Sequence, residues 1–321
     1  MFEPYLPQHF CREYVEIKSG SSQVVNFMAV VLGVKPLMDD WIHTSRWEEY
    51  RDLCTRHGLH CRADSVFLYV PRDGIPDHVV GRDTITTTSS YAVPLEAGAE
   101  GHLHVFVSRD PDLLRHGMWY SVIVRDRVIW PPRMDVLRYG HLLGYPDCCI
   151  RFFQAYNNWQ RYSFLHEIHK RSPVLHPWCN PLTKDLTYSY IYHMPCSFAC
   201  PRTIELVQRL RALIQEREPD LVEAIDRHLT VPALVFRERK IYFFEGEATD
   251  QRICYRGFMY EGGDPGGDVC FEHLRAGDRV EVVDGRVRIL KGGALIHEIP
   301  PRPTGFAPEI PFIVAFPPPP P

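Results

Sequence analysis

Five of the ten cysteines, Cys148, Cys149, Cys179, Cys196 and Cys200, crowd into the stretch 141–206 of a 321-residue chain. A segment that gathers thiols in this way must either bring their sulfur atoms to one centre or hide each in its own apolar pocket, and no other feature restricts the fold as much. Ten cysteines in 37.3 kDa are too sparse for a disulfide-stapled scaffold. The other five, Cys11, Cys54, Cys61, Cys254 and Cys270, stand apart from one another and read as small buried packing residues.

Three pieces carry the cluster: Gly144-Tyr145-Pro146-Asp147-Cys148-Cys149-Ile150-Arg151-Phe152-Phe153, Trp178-Cys179-Asn180-Pro181, and His193-Met194-Pro195-Cys196-Ser197-Phe198-Ala199-Cys200. The outer two place cysteine beside proline and near an expected helix start, where free backbone N–H groups and the helix dipole favour thiolate, the form a metal binds. Cys196 and Cys200 are four apart and share a face if they occupy one helical turn. Cys148 and Cys149 point about 100° apart on a helix, which disfavours equal service to one centre. Cys149 lies nearest the aromatic face of Phe152, Phe153 and Tyr156 and is the preferred ligand, with Cys148 turned elsewhere.

A set drawn from Cys148 or Cys149 with Cys179, Cys196 and Cys200 has the number and softness for a four-iron (4Fe-4S) cluster or for tetrahedral zinc. No spacing separates the two. The lack of a Cys-x2-Cys knuckle weighs against ordinary structural zinc, and Phe152, Phe153, Trp178 and Phe198 would keep water from a redox cluster. The expectation is therefore iron–sulfur, with zinc as the alternative. Metal-free thiol chemistry and plain packing are the competing accounts, and a vicinal Cys148–Cys149 disulfide is disfavoured by ring strain and a reducing compartment.

His193, three before Cys196, is the candidate proton donor beside such a centre, and Arg151 the candidate for offsetting thiolate charge or holding a carboxylate substrate. Tyr145 and Arg202 flank the same motifs. His166, His169 and His176 lie near Cys179, but the spacing of the first two is not the His-Glu-x-x-His pattern, and exposed or capping roles are expected for them. No glycine-rich nucleotide fingerprint, phosphate loop or nucleophile elbow occurs.

A net charge of −4, with 40 acidic against 36 basic residues and no basic run interleaved with aromatics, argues against nucleic acid as a partner. No segment approaches the roughly 18 apolar residues of a membrane span and the start has no secretion-signal pattern, so a cytoplasmic location and no membrane partner are expected.

The pattern along the chain predicts an α+β protein in parts. Residues 1–132 read as an α/β or α+β domain: Val24–Leu32 fits either a buried strand or a short helix, Ser45 and Glu48 form a capping box for a helix carrying Trp47, Tyr50 and Cys54, and strands are expected at 66–70, 102–107 and 119–124. A boundary is expected at Trp130-Pro131-Pro132. Residues 133–230 read as a helical cysteine-rich domain, with Asp147 and Thr203 as helix caps and a break at Glu218-Pro219. Residues 231–299 read as β-rich, with a glycine loop at 262–267 and a tight hairpin at Asp284-Gly285. Residues 300–321 read as an extended proline-rich tail that offers a polyproline ligand to a protein partner.

The two outer cysteine motifs resemble an uncharacterised prokaryotic family with a Gly-Tyr-Pro-x-Cys-Cys helix and a later His-x-Pro-Cys-Ser-x-x-Cys segment, over roughly residues 139–210. The resemblance implies that the site is a unit and implies no chemistry. Two functions follow as expectations. One is an iron–sulfur protein that transfers electrons to a redox partner or presents an open iron to a small-molecule substrate, with His193 and Arg151 assisting. The other is a structural-zinc scaffold whose C-terminal module binds a partner.

Overall fold

The computed structural model describes residues 2, 5–18, 23–71, 85–86, 90–94, 98–115, 123–124, 127–128, 136–156, 163–184, 186, 188–238, 240–249, 251–261, 268–301 and 310–320. The expected boundary at 130–132 and the glycine loop at 262–267 lie outside these residues. The architecture is α+β: a mixed N-terminal region, a central helical region holding the cysteine cluster, and a β-rich C-terminal sheet. The chain divides into two compact units, residues 6–155 with 205–221, and residues 1–5 with 156–204 and 222–321.

In the first unit, α1 (Arg12–Lys18) and α2 (Val24–Val31) precede β1 (Leu37–His43), α3 (Trp47–Arg56), β2 (His60–Pro71), β3 (Ile85–Thr86), β4 (Ser90–Pro94) and β5 (His102–Ser108). A small ribbon of β6 (Ile123–Val124) and β7 (Arg127–Val128) follows, then α4 (Val136–Leu142) and α5 (Asp147–Tyr156). The sheet order is β1-β5-β2-β4-β3, with antiparallel neighbours throughout. Residues Val24 to Val30 are all buried, so α2 shows neither a polar face nor a strand alternation, which is why its sequence fits both. The capping box ahead of α3 is not made. A short 3-10 turn occupies Thr44–Arg46, and His43 Nδ1 accepts the Ser45 N–H instead.

A carboxylate organises the interior of this unit. Asp40 Oδ2 accepts from Tyr14 Oη at 2.7 Å and Tyr50 Oη at 2.8 Å, and Lys18 Nζ reaches Oδ1 at 2.5 Å, so a buried charge has a full set of donors. Leu37, Phe106, Leu114, Tyr139 and Leu143 form a core that docks α4 on the sheet and so fixes where α5 starts.

Of the remaining helices, α6 (Phe164–Lys170) lies in the second unit, α7 (Pro201–Gln215) belongs to the first from Glu205 onward, and α8 (Pro219–Leu229) belongs to the second from Val222, where it leads into a seven-stranded antiparallel sheet. Its members are β8 (Ala233–Arg237), β9 (Lys240–Thr249), β10 (Arg252–Glu261), β11 (Arg279–Val283), β12 (Arg286–Lys291), β13 (Ala294–Ile299) and β14 (Phe312–Val314). A helix, α9 (Val269–Ala276), covers one face with Cys270 and Leu274 in the core. The β11–β12 turn has Asp284 at φ 51° and Gly285 at φ 73°, the paired positive values of a two-residue hairpin with matching twist. The proline-rich segment is not free along its length. Phe312-Ile313-Val314 pairs antiparallel with β8, because the five apolar residues between Pro311 and Pro317 leave room for a short edge strand that needs a ladder on one side only. His169 stacks on Phe312 at 4.2 Å and His166 Nε2 donates to the Ile310 carbonyl, pinning the strand.

Candidate metal centre

The Gly-Tyr-Pro-x-Cys-Cys motif has a local mechanical reading. Helix α4 ends in a Schellman turn: Tyr145 N–H donates to the Gly140 carbonyl at 2.9 Å and Gly144 N–H to the His141 carbonyl at 3.0 Å, with Gly144 at φ 72°. A Cβ on Gly140 would come within 2.6 Å of Ile150 Cγ1, so glycine there lets α4 and α5 meet, and one on Gly144 would come within 2.7 Å of Pro36 Cδ, so glycine there lets the end of α4 pass the chain ahead of β1. The chain then turns at Pro146, whose carbonyl receives the N–H groups of Cys149 at 2.9 Å and Ile150 at 3.0 Å. Cys148 and Cys149 thus lie in the first turn of α5, at the positive end of its dipole.

The second motif ends on a helix start by the same logic. Cys200 carries the carbonyl that accepts the Ile204 N–H at 3.0 Å, and Pro201 takes the first helical position of α7, where its missing N–H costs nothing. Cys196 precedes it in a turn closed by Cys200 N–H on the Ser197 carbonyl at 3.3 Å. This turn is anchored from below: Phe198 is fully buried, its N–H donates to Ser172 Oγ at 2.6 Å and its carbonyl accepts the His176 N–H at 2.7 Å. Cys196 and Cys200 therefore share a pre-helical turn rather than a turn of α-helix.

The sulfur atoms of Cys148, Cys149, Cys196 and Cys200 all lie within 4.8 Å of one another. Cys149 and Cys200 are 2% and 1% exposed, Cys196 is half-buried, and Cys148 lies on the solvent side. Four thiols at this separation can coordinate a metal ion. Both pairs stand at the amino ends of helices, whose partial positive charge offsets the negative charge of a tetrathiolate. The expected divergence of Cys148 from Cys149 does not occur, since their sulfurs are 3.9 Å apart.

Cys179 stands outside this group of four. It is fully buried in the 3-10 turn Pro177–Cys179, and its thiol donates to the Cys200 carbonyl at 3.7 Å. Burial pushes its thiol far above the ordinary range, and the neighbouring Cys200 and Cys196 add to the effect, so it stays protonated at neutral pH.

His193 is buried with Nε2 3.0 Å from the Thr203 hydroxyl, so Thr203 holds this ring rather than capping α7. Arg151 is exposed and its Nε donates to Asp147 Oδ2 at 2.7 Å; His141 Nε2 stands 3.2 Å from the other oxygen. The Arg151 contact, then His141, holds the Asp147 carboxyl below its usual range. Arg202 is exposed in the first turn of α7. His176 Nδ1 accepts the Trp178 N–H at 3.3 Å, the capping role expected of it. Tyr145 offers its ring to Lys35, whose Nζ lies 4.8 Å from the centroid.

Among the described residues, no helix is long and apolar enough to cross a membrane. Comparison of the chain with protein-family models, with curated proteins and with solved structures returns no match.

Proposed function

We propose that the four cysteines bind a single metal ion, with zinc as the resident, and that the ion serves as a structural centre of a binding or scaffold protein. The observation that carries this reading is the spacing of the sulfurs. A zinc–sulfur bond of about 2.3 Å sets the sulfurs of a regular tetrahedron about 3.8 Å apart. The Cys148–Cys149 separation of 3.9 Å and the 4.8 Å limit on the whole set fit that figure with little adjustment. In a four-iron cluster each cysteine would bind a different iron, and the thiolates would be held farther apart than the corners of one tetrahedron.

Four thiolates fill a tetrahedral ion and leave no position for substrate, the pattern of structural rather than catalytic zinc. His193, engaged by Thr203, and Arg151, engaged by Asp147, then act in local structure, and the iron–sulfur enzyme becomes the competing reading.

Metal analysis of the purified chain, prepared without oxygen, tests this. The expected result is one zinc per chain, with cobalt replacing it to give the absorption of a tetrahedral tetrathiolate. Four irons with matching acid-labile sulfide would establish the cluster instead. One iron with visible sulfur-to-iron bands would keep the tetrahedron and change its ion from structural to redox.

A further inference from the structure

We propose that Pro317–Pro320 present two edges of a polyproline II helix to a partner domain whose groove is lined by Trp and Tyr. This names a partner class for the binding protein proposed above and rests on that reading, but not on which ion the cysteines hold.

The base of the run is fixed. Strand β14 pairs with β8 through Phe312, Ile313 and Val314. Two residues on, Phe316 is 5% exposed and its ring meets that of fully buried Phe198 edge-on at 5.3 Å. The chain is therefore held as far as Phe316, and Pro317 to Pro320 follow it outside any helix or strand.

Beyond that point the backbone has few choices. Each proline ring locks φ at about −65° and removes an N–H, so consecutive prolines take a left-handed helix with three residues per turn and about 3.1 Å of rise. Such a helix is a three-edged rod on which residues i and i+3 share an edge. The burial follows this period: Phe316 is buried and Pro319 half-buried, whereas Pro317, Pro318 and Pro320 are exposed. One edge lies against the body of the unit and two face solvent, which is the side a recognition groove needs.

The chemistry of the run selects the occupant. Proline offers a carbonyl acceptor and an apolar ring but no backbone donor. No residue from Ile310 to Pro321 is charged, so acidic or basic pockets would find nothing to pair with. Recognition falls to apolar ring faces that also carry a donor, which are Trp with its indole N–H and Tyr with its O–H. Because the rod is already extended and its base already anchored, docking costs little ordering entropy.

The test adds the full chain, with its zinc content measured, to isotope-labelled WW, SH3 and EVH1 domains, the module types with aromatic proline grooves. The expected result is a concentration-dependent shift of the groove Trp indole N–H signal in one or more of them, absent when residues 317–321 are removed. Pro318→Ala or Pro320→Ala is expected to weaken binding about tenfold more than Pro319→Ala, because two ring CH2 groups leave the groove in the first two variants and none in the third. No shift in any of the domains overturns the inference, as do shifts that survive the deletion or equal losses in Pro318→Ala and Pro319→Ala. Absent shifts from a chain holding one zinc leave the metal centre standing, whereas shifts from a chain without zinc support this inference and remove the zinc.

Discussion

Cys148 and Cys149 are neighbours in sequence, and their sulfur atoms stand 3.9 Å apart in the first turn of α5. Side chains on a helix lean toward its amino end, so two adjacent first-turn residues converge beyond that end although they diverge around the axis. Both can therefore meet the thiols of Cys196 and Cys200.

The first expected outcome separates the four cysteines from the fifth. Cys149→Ser or Cys200→Ser should reduce bound metal well below one per chain and cost more than about 4 kcal/mol, as losses of structural metal do. Cys179→Ala should keep the metal and cost about 1–3 kcal/mol for its buried volume. Metal content and urea denaturation of the three variants decide; equal metal loss in all three would place Cys179 in the ligand set.

Gly144→Ala tests the Schellman turn. A side chain at φ 72° against Pro36 is expected to destabilise by about 1–3 kcal/mol, from left-handed strain and the clash together. An unchanged denaturation midpoint would show that the turn yields without cost.

Lys35 gives a pH signature. Its ammonium is fully buried against Asn26 and the Tyr145 ring, and burial lowers its pKa from 10.5 to about 7, with Asp39 opposing. The folded state then holds fewer protons than the unfolded chain between these values, so this group makes stability rise as pH climbs from about 7 to 10.5. Lys35→Met should flatten that rise in thermal melts across the range and raise stability at pH 7. A wild-type and variant pair with parallel profiles would contradict it.

Asp40→Ala removes the acceptor of Tyr14, Tyr50 and Lys18, whose side chain is only 8% exposed. Leaving that ammonium unpaired is expected to cost about 3–5 kcal/mol in chemical denaturation. A loss below 1 kcal/mol would mean that Lys18 swings out to water.

Much of the site was legible because its signals are local. The cysteine density, the Pro146-Asp147 start of α5, the break at Glu218-Pro219 and the Asp284-Gly285 hairpin each depend on a few adjacent residues. What escaped depends on tertiary partners. Thr203 has the chemistry of a helix cap, yet its hydroxyl faces His193, and Cys200 with Pro201 opens the helix instead. Ser45 and Glu48 match a capping box, but His43 takes the Ser45 N–H. Helix α9 is only eight residues long and its apolar face becomes visible once Cys270 and Leu274 meet the sheet.

The place of β14 bears on synthesis. Strand β8 has β9 on one side and, on the other, a strand some 75 positions later in the sequence. Until Phe312–Val314 emerges from the ribosome, the nascent sheet keeps an open flank along Leu234 and Val235, both of which are buried once folding is complete. Translation pauses or truncations before that point should leave a species that self-associates, with the missing three residues acting as the cover that keeps finished molecules apart.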